Sequence, residues 1–340
     1  MQSFIDITKR LLPDFLQVLQ KRHSILRYIG MMQPVGRRSL AASLGLTERV
    51  LRSEVDFLKE QNLIDINTMG MSLTPEGRNL LEDLEGFVRD LKGFDVMELE
   101  LKHQLGIRKV MIVPGDCDES PMAKGELGKA CAISMKKLLK GNNIIAVTGG
   151  STMAAVAERL TPELSDGELL FVPARGGVGE DVHNQANSIC SKMAERTHSK
   201  HRVLYVPGQV SAEIYDSLAK EPEIHEVLTL IQSANMVLHG IGDAITMAER
   251  RKSSPEILQK LEKEQAVGEA FGYYFNEEGR IIHRVLTIGL QLNDLSHIPN
   301  VIAVAGGASK AKAIKAYMKQ APESTILITD EGAANKLLKG

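Results

Sequence analysis

Residues 37–58 read RRSLAASLGLTERVLRSEVDFL, and the spacing of their apolar positions decides the first part of the fold. Leu40, Ala41 and Leu44 fall on one face of a short helix. Gly45 then permits the left-handed backbone that a tight turn needs. Thr47 is a good N-cap, and Val50, Leu51, Val55 and Leu58 form the apolar stripe of a second helix. Ala41 is small enough for two helices to cross closely, Gly45 turns the chain, and Leu51 packs the pair together. This is the spacing of a helix-turn-helix.

The flanks extend that reading. Residues 15–28 carry helical periodicity, which ends at Gln33-Pro34-Val35-Gly36 because proline lacks an N–H and glycine is permissive. After the second helix, Gln61–Ile66 and Met71–Thr74 flank the polar turn Asn67–Gly70, the pattern of a β-hairpin and hence of a wing. Thr74 and Pro75 then start another helix. The Leu-Thr-Pro-Glu-Gly sequence that closes the wing resembles many bacterial winged-helix repressors.

Arg37, Arg38, Arg49 and Arg52, set against Glu48, make this face basic and suited to phosphate. Thr47, Arg49, Arg52 and Ser53 stand at the start of the second helix, the part that enters a major groove, where arginine can bond guanine bidentately. The six DNA-contact candidates are therefore Arg37, Arg38, Thr47, Arg49, Arg52 and Ser53. A winged helix that binds protein rather than DNA has the same core.

Residues 76–104 are helix-rich, with Leu80, Leu84, Phe87 and Leu91 at steps of three and four. The stripe serves either packing within its own domain or pairing between subunits. Gly86 and Gly93 argue against one stiff coiled coil.

From Ile107 onward, short apolar runs alternate with helical patterns. Strands are expected at Val110–Val113, Asn143–Val147, Leu169–Val172, Val203–Val206, Met236–Leu238, Val301–Val304 and Thr325–Ile328. Helices are expected at Glu126–Lys140 and Met153–Leu160, among others. Repeated strand–loop–helix units imply a mainly parallel sheet covered by helices, with ligands at the carboxyl ends of the strands. The fold class is α/β in two domains: residues 1–90 winged helix-turn-helix, 91–106 connector, and 107–340 effector binding and oligomerisation.

Three loops of that second domain suit an anion. Gly149, Gly150, Ser151 and Thr152 offer approachable backbone N–H groups, hydroxyls and a helix N-terminus. Gly306-Gly307-Ala308-Ser309-Lys310 repeats the arrangement and adds a cation, and Arg175 supplies another beside Gly176-Gly177. Neither a Walker motif nor GxGxxG is present.

Bulk properties narrow the class. The 340 residues suit two domains. With 41 Lys and Arg against 43 Asp and Glu, the chain is no indiscriminate polyanion binder, so any DNA affinity must be local. Cys117, Cys131 and Cys190 have no CxxC spacing and are expected to be reduced and structural. The N-terminal run is broken by Asp6, Lys9, Arg10 and Pro13, unlike a signal peptide, and no stretch approaches ~18 apolar residues. A cytoplasmic protein without metal or cofactor is expected.

The helix-turn-helix GRRSLAASLGLTERVLRSEVDFLKEQ, followed by AVTGGST, LLFVPARGGVGEDVHNQANSIC, MVLHGIGDA, EAFGYYFN and IAVAGGASKAKAI, resembles the SorC-type sugar-responsive bacterial transcription regulators over nearly the whole chain. The resemblance implies an effector domain similar to ribose-phosphate isomerases and glucosamine-phosphate deaminases. It further implies a glycolytic repressor with fructose 1,6-bisphosphate as effector. By the resemblance, Gly149, Gly150, Ser151 and Thr152 cradle one phosphate with Lys310 as countercharge. Arg175 and Gln185 hold polar groups, Arg250 and Arg251 approach the other phosphate, and Glu269 accepts from sugar hydroxyls. Arg250 and Arg251 could equally sit on a solvated helix face, and Glu269 could be a surface carboxylate.

The expected protein is a homodimer or homotetramer on a palindromic operator, relieved by a phosphorylated sugar. The rival class is a sugar-phosphate isomerase or deaminase with an appended regulatory domain. His239, Asp243, Asp330 and Glu331 would be its acid–base groups, with loop capping as their plainer role.

Overall fold

The computed structural model describes residues 10–177 and 181–339, so the N-terminal run before Arg10 lies outside the described residues. The chain forms two compact units, one through Val96 and the other from Met97.

The first unit is the expected winged helix. Helices α1 (Pro13–Met32), α2 (Arg37–Ser43) and α3 (Glu48–Glu60) are followed by strands β1 (Ile64–Asn67) and β2 (Gly70–Leu73) and helix α4 (Pro75–Lys92). Gly45 takes φ 62° between α2 and α3. The Thr47 side chain accepts from Val50 N at 3.4 Å and caps α3. Leu40, Leu51, Val55 and Leu58 are buried with Ile25, Leu26 and Ile29 of α1. Each large apolar side chain removed from water in this way contributes about 1.5–3 kcal/mol. The wing pairs Ile64 with Leu73 in antiparallel register, and Val35 bridges to Met71. Helix α4 runs through Gly86 and stops at Gly93, whose φ of 69° closes it in the left-handed region.

The wing and α4 are clasped at Thr74. Its hydroxyl accepts from Gly77 N at 2.9 Å and donates to the Asn62 carbonyl at 2.7 Å. The helix start is pressed against the end of the preceding loop so closely that a Cβ on Gly77 would stand 2.0 Å from the Leu63 oxygen.

Helix α5 (Phe94–Leu105) begins just before the second unit, in which a seven-stranded parallel sheet follows it. Its strands are β3 (Lys109–Val113), β4 (Asn143–Val147), β5 (Leu169–Pro173), β6 (Lys200–His201), β7 (Met236–Gly240), β12 (Asn300–Val304) and β13 (Thr325–Asp330), in the order β3-β13-β12-β7-β4-β5-β6. From β4 the chain moves outward to β6, then returns to lay β7 on the other side of β4. Strand order therefore reverses between β4 and β7, the place where open α/β sheets bind ligands. Ile145, Val147, Met236, Leu238, Ile302, Val304, Ile326 and Ile328 form one core with helices α6 (Pro121–Leu138), α7 (Ser151–Ala157) and α8 (Ala186–Thr197).

Three expectations are corrected. Residues 203–206 are not a strand; the edge strand is Lys200–His201. The Asn187 side chain takes the backbone of Leu204, accepting from its N–H at 2.9 Å and donating to its carbonyl at 3.1 Å, which draws the segment out of the sheet. Helix α6 begins at Pro121 rather than Glu126, because Ser120 caps it and Pro121 sits in its first turn. The domain is also less uniformly parallel than the pattern implied. A second, antiparallel sheet β11-β10-β9-β8 comprises β8 (Gly242–Asp243), β9 (Ala266–Ala270), β10 (Tyr273–Asn276) and β11 (Ile281–Arg284). It shares a core with helices α11 (Ala244–Arg250) and α12 (Pro255–Lys263), which follow α9 (Ala212–Leu218) and α10 (Pro222–Gln232). Helices α13 (Ala311–Met318) and α14 (Glu331–Lys339) complete the unit. Cys117, Cys131 and Cys190 are all free thiols. No described helix is long and apolar enough to cross a membrane.

The contact at Gly77 predicts a contrast between two glycines of α4. Gly77→Ala should cost about 1–3 kcal/mol by forcing helix and loop apart. Gly86→Ala, with nothing within 4 Å of the new methyl, should gain up to about 1 kcal/mol. Chemical denaturation of the two variants reads this directly, and equal effects would show that the clasp does not constrain the wing.

Candidate functional site

A cavity of about 300 Å³ opens at the β4/β7 reversal. Its lining includes Thr148–Thr152 after β4, Arg175, Gly176 and Gly177 after β5, and Gly240–Gly242 after β7. Arg250, Glu269, Phe271 and Lys310 complete it from other segments. A larger depression of about 670 Å³ lies at the opposite, amino ends of β4 and β5. It is flanked by Asn142, Glu168 and Lys200, and it holds none of the glycine loops.

The first loop is shaped as expected. Gly150 has φ 118° and donates to the Asn184 carbonyl at 2.8 Å. Ser151 and Thr152 open α7, so their N–H groups have no acceptor within the helix. The loop after β12 is different. Gly307 N and Cys117 N both donate to Asp330 Oδ2 at 2.7 Å. Ala308 N donates to Asp116 Oδ1 at 3.2 Å, and Ser309 N to Asp118 Oδ2 at 2.7 Å. Its amides are spent on the protein's own carboxylates, and among its residues Lys310 is the one that lines the cavity. Burial lowers the pKa of that lysine, as does the neighbouring Lys124, while Cys117 and Asp118 oppose the shift.

The floor is a buried charge cluster. Glu269 Oε1 accepts from Arg251 Nη2 at 2.8 Å and from Gly272 N at 2.6 Å, and Arg175 Nη2 lies 3.7 Å away. All three charged side chains are almost wholly buried. Burial, with the adjacent Arg251, lowers the pKa of Arg175 to about 10 against the pull of Glu269, which leaves it cationic at neutral pH. Arg175 Nη1 and Arg251 Nε are buried without a hydrogen-bond partner. The adjoining turn holds Phe271 at φ 54°, a strained setting for an aromatic residue, and its ring meets that of His239 at a tilt of 54° with centroids 4.9 Å apart.

Of the ten effector candidates, Gly149, Gly150, Ser151, Thr152, Arg175, Arg250, Glu269 and Lys310 line the one cavity. Arg251 does not. It turns under the floor to Glu269 because the two consecutive arginines leave the end of α11 in different directions. Gln185 stands at the start of α8, its side chain against Gly177 at the rim. Lys124 was missed; it donates to Ser151 Oγ at 3.5 Å from α6. Only the packing of two successive helices on the sheet reveals it.

The acid–base groups of the enzymatic rival have structural employment. His239 is fully buried, its Nδ1 at 3.0 Å from the Gly240 carbonyl and its Nε2 at 3.0 Å from the Tyr317 hydroxyl. Asp243 caps α11 through Thr246, and Asp330 accepts from Ala333 N at 2.9 Å as well as from the two amides above. Glu331 accepts from Gly115 N at 3.1 Å. In the first unit, Arg37, Arg38, Thr47, Arg49, Arg52 and Ser53 are all exposed. Arg38 and Glu48 approach to 3.8 Å, both largely in water, so this pair holds Arg38 only weakly.

Residues 18–88 match the family of the "CggR N-terminal DNA binding domain", and residues 90–339 match the family described as "Putative sugar-binding domain". A solved Enterococcus faecalis protein described as a SorC family transcriptional regulator is 50% identical, with a TM-score of 0.68. That similarity covers 71% of this chain and 99% of that one. The full-length sorbitol operon regulator SorC of Klebsiella pneumoniae shares the fold at 17% identity, with a TM-score of 0.65 over 90% of this chain and 94% of its own. The chain belongs to the SorC-type family of sugar-binding transcription regulators. More narrowly, it is 55% identical over 339 residues to the "Central glycolytic genes regulator" of Bacillus subtilis, covering 100% of this chain and 99% of that one. The protein of the same name in Priestia megaterium is 57% identical over 340 residues, with the same coverage. The chain is thus a sugar-responsive, DNA-binding regulator and not an enzyme.

The buried imidazole makes a pH prediction. Burial lowers the His239 pKa from 6.5 to about 4, so between those values the unfolded chain takes up a proton that the folded one refuses. Stability of the second unit should be unaffected by this group above pH 6.5. It should fall by up to about 3 kcal/mol as the pH drops to about 4. Denaturant titrations of His239→Gln should show a flatter profile across that window; an unchanged slope would assign the acid sensitivity elsewhere.

Proposed function

We propose that this protein represses glycolytic genes and that a phosphorylated sugar, fructose 1,6-bisphosphate, relieves the repression. What carries the reading is the convergence on one cavity of the Gly149–Thr152 loop, Arg175, Arg250, Lys310 and Glu269. Open amides and hydroxyls suit phosphate oxygens, the cations balance their charge, and a carboxylate suits sugar hydroxyls. About 300 Å³ matches the small end of small-molecule sites. The names of the relatives favour a glycolytic effector over other sugar phosphates.

The winged helix reads a palindromic operator as a homodimer or homotetramer, with Thr47, Arg49, Arg52 and Ser53 at the bases and Arg37 and Arg38 on the phosphates. Ligand and operator are coupled, and the coupling cannot exceed the ligand's differential affinity for the two states of the protein.

Thermal unfolding against fructose 1,6-bisphosphate, fructose 6-phosphate and fructose tests the effector. Free ligand at ~100 times its dissociation constant should add ~2.7 kcal/mol, and Arg175→Ala should abolish the shift. A shift from the monophosphate alone would remove the named effector, and a shift that survives Arg175→Ala would remove the site. On operator DNA, Arg52→Ala or Arg49→Ala should weaken binding by about 1–3 kcal/mol if it reads a base. Unchanged affinity in both would displace α3 from the recognition role.

A further inference from the structure

Lys124 does not line the cavity, but helix registry sets it beside Ser151, which does. Helices α6 and α7 touch where a Cβ on Gly128 would stand 2.5 Å from the Ala155 oxygen. One turn back on each helix, the residues that meet are Lys124 and Ser151, with Lys124 Nζ 3.5 Å from Ser151 Oγ. Lys310 enters the same corner from the loop after β12, near enough that Lys124 and Arg250 each disfavour its charged form. Lys124, Lys310 and Arg250 thus lie close enough for the first and last to act on Lys310, and among the described residues none of the three forms an ion pair, although the nearby Asp118 carboxylate offsets part of the repulsion at Lys310. Like charges held together repel, and an anion bearing more than one charge removes most of that repulsion.

We propose that Lys124 is a ligand-binding residue of this pocket and that, with Ser151 and Lys310, it selects the dianionic form of a phosphomonoester. The inference rests on the sugar-phosphate reading of the cavity and narrows it. Phosphate esters take their second charge near pH 6, so the wild-type protein binds such a ligand more tightly at pH 7.5 than at pH 5.5. Ammonium and dianion form a short charge-assisted bond, whereas a phosphodiester or sulfate ester, each with a single charge, gains less from the same three cations.

The test is calorimetric titration of the full chain with fructose 1,6-bisphosphate at pH 7.5 and 5.5, for wild type, Lys124→Gln and Lys124→Arg. Lys124→Gln should lose about tenfold or more in affinity at pH 7.5, the scale of one charged hydrogen bond, and a smaller factor at pH 5.5. Lys124→Arg should restore most of the loss. The melting temperature of the ligand-free variants should stay near wild type, since Lys124 is only partly buried and its bond to Ser151 is a long one, 3.5 Å. Undiminished binding by Lys124→Gln, beside normal binding by wild type, overturns the role of Lys124 and leaves the pocket reading intact. An equal loss at both pH values that arginine does not repair marks a packing role and overturns the proposal as well. Wild type that binds no sugar phosphate overturns the pocket reading and this inference with it.

Discussion

One carboxylate oxygen, Glu269 Oε1, holds the effector domain's separate parts in register. Glu269 lies on the small antiparallel sheet, yet its donors come from the residue after α11 and from the turn into β10, and its second ion-pair partner, Arg175, from the loop after β5 of the large sheet. Taking such charges out of water is expensive, and only well-placed hydrogen bonds repay it. Arginine suits the task because its planar fork stays charged when buried and reaches acceptors in more than one direction. The cluster has two positive charges to one negative. Its surplus lies beneath the cavity, and the unpartnered Nη1 of Arg175 adds a buried donor to that side. A positive, low-dielectric floor follows from the same contacts that fix the fold.

The two glycine-hydroxyl loops show how far local sequence carries. Gly149–Thr152 and Gly306–Ser309 have nearly the same composition and the same place after a parallel strand. In the second, three carboxylates stand where an anion would: Asp330 from the neighbouring strand, and Asp116 and Asp118 from the loop after β3. They give the loop hydrogen bonds to close the sheet's carboxyl end and cancel the attraction that its amides would exert on a ligand. Nothing within the loop itself distinguishes a cradle from a latch. The difference lies in Asp116 and Asp118, some 190 residues earlier in the chain, and in Asp330, 23 residues later.

That distinction also describes what could be read in advance. The winged helix was legible because Gly45, Thr47, Thr74 and Pro75 act on their immediate neighbours, and the apolar stripe of α3 has one period. The parallel strands were legible because strands buried on both faces read as continuous apolar runs. Leu204 was misread because its pairing partner is a side chain, Asn187, which no apolar pattern reports. Arg251 was placed beside the ligand by the resemblance, which treats the two arginines as a pair, whereas a step of about 100° along the helix sends it to Glu269 beneath the cavity. The antiparallel sheet escaped notice because its register is set by turns and by packing on α11 and α12.

The cations in and beside the cavity come from α6, the loop after β5, α11 and the loop after β12, four segments that no local bond joins. Lys124, Arg250 and Lys310 carry their charge on long side chains with no ion pair among the described residues, whereas Arg175 is held by the buried cluster on Glu269 and the Gly149–Thr152 loop by the Asn184 carbonyl. A ligand that touches only the pinned loop binds two arrangements of the domain equally well and shifts neither, however tight the contact. A ligand whose charge draws those three side chains toward Arg175 favours the arrangement in which they meet. In the proposed regulator the leverage of the effector therefore resides in its charge rather than in its fit to the loop. Neutralising any one of the cations should weaken coupling to the operator in proportion to how much that segment moves.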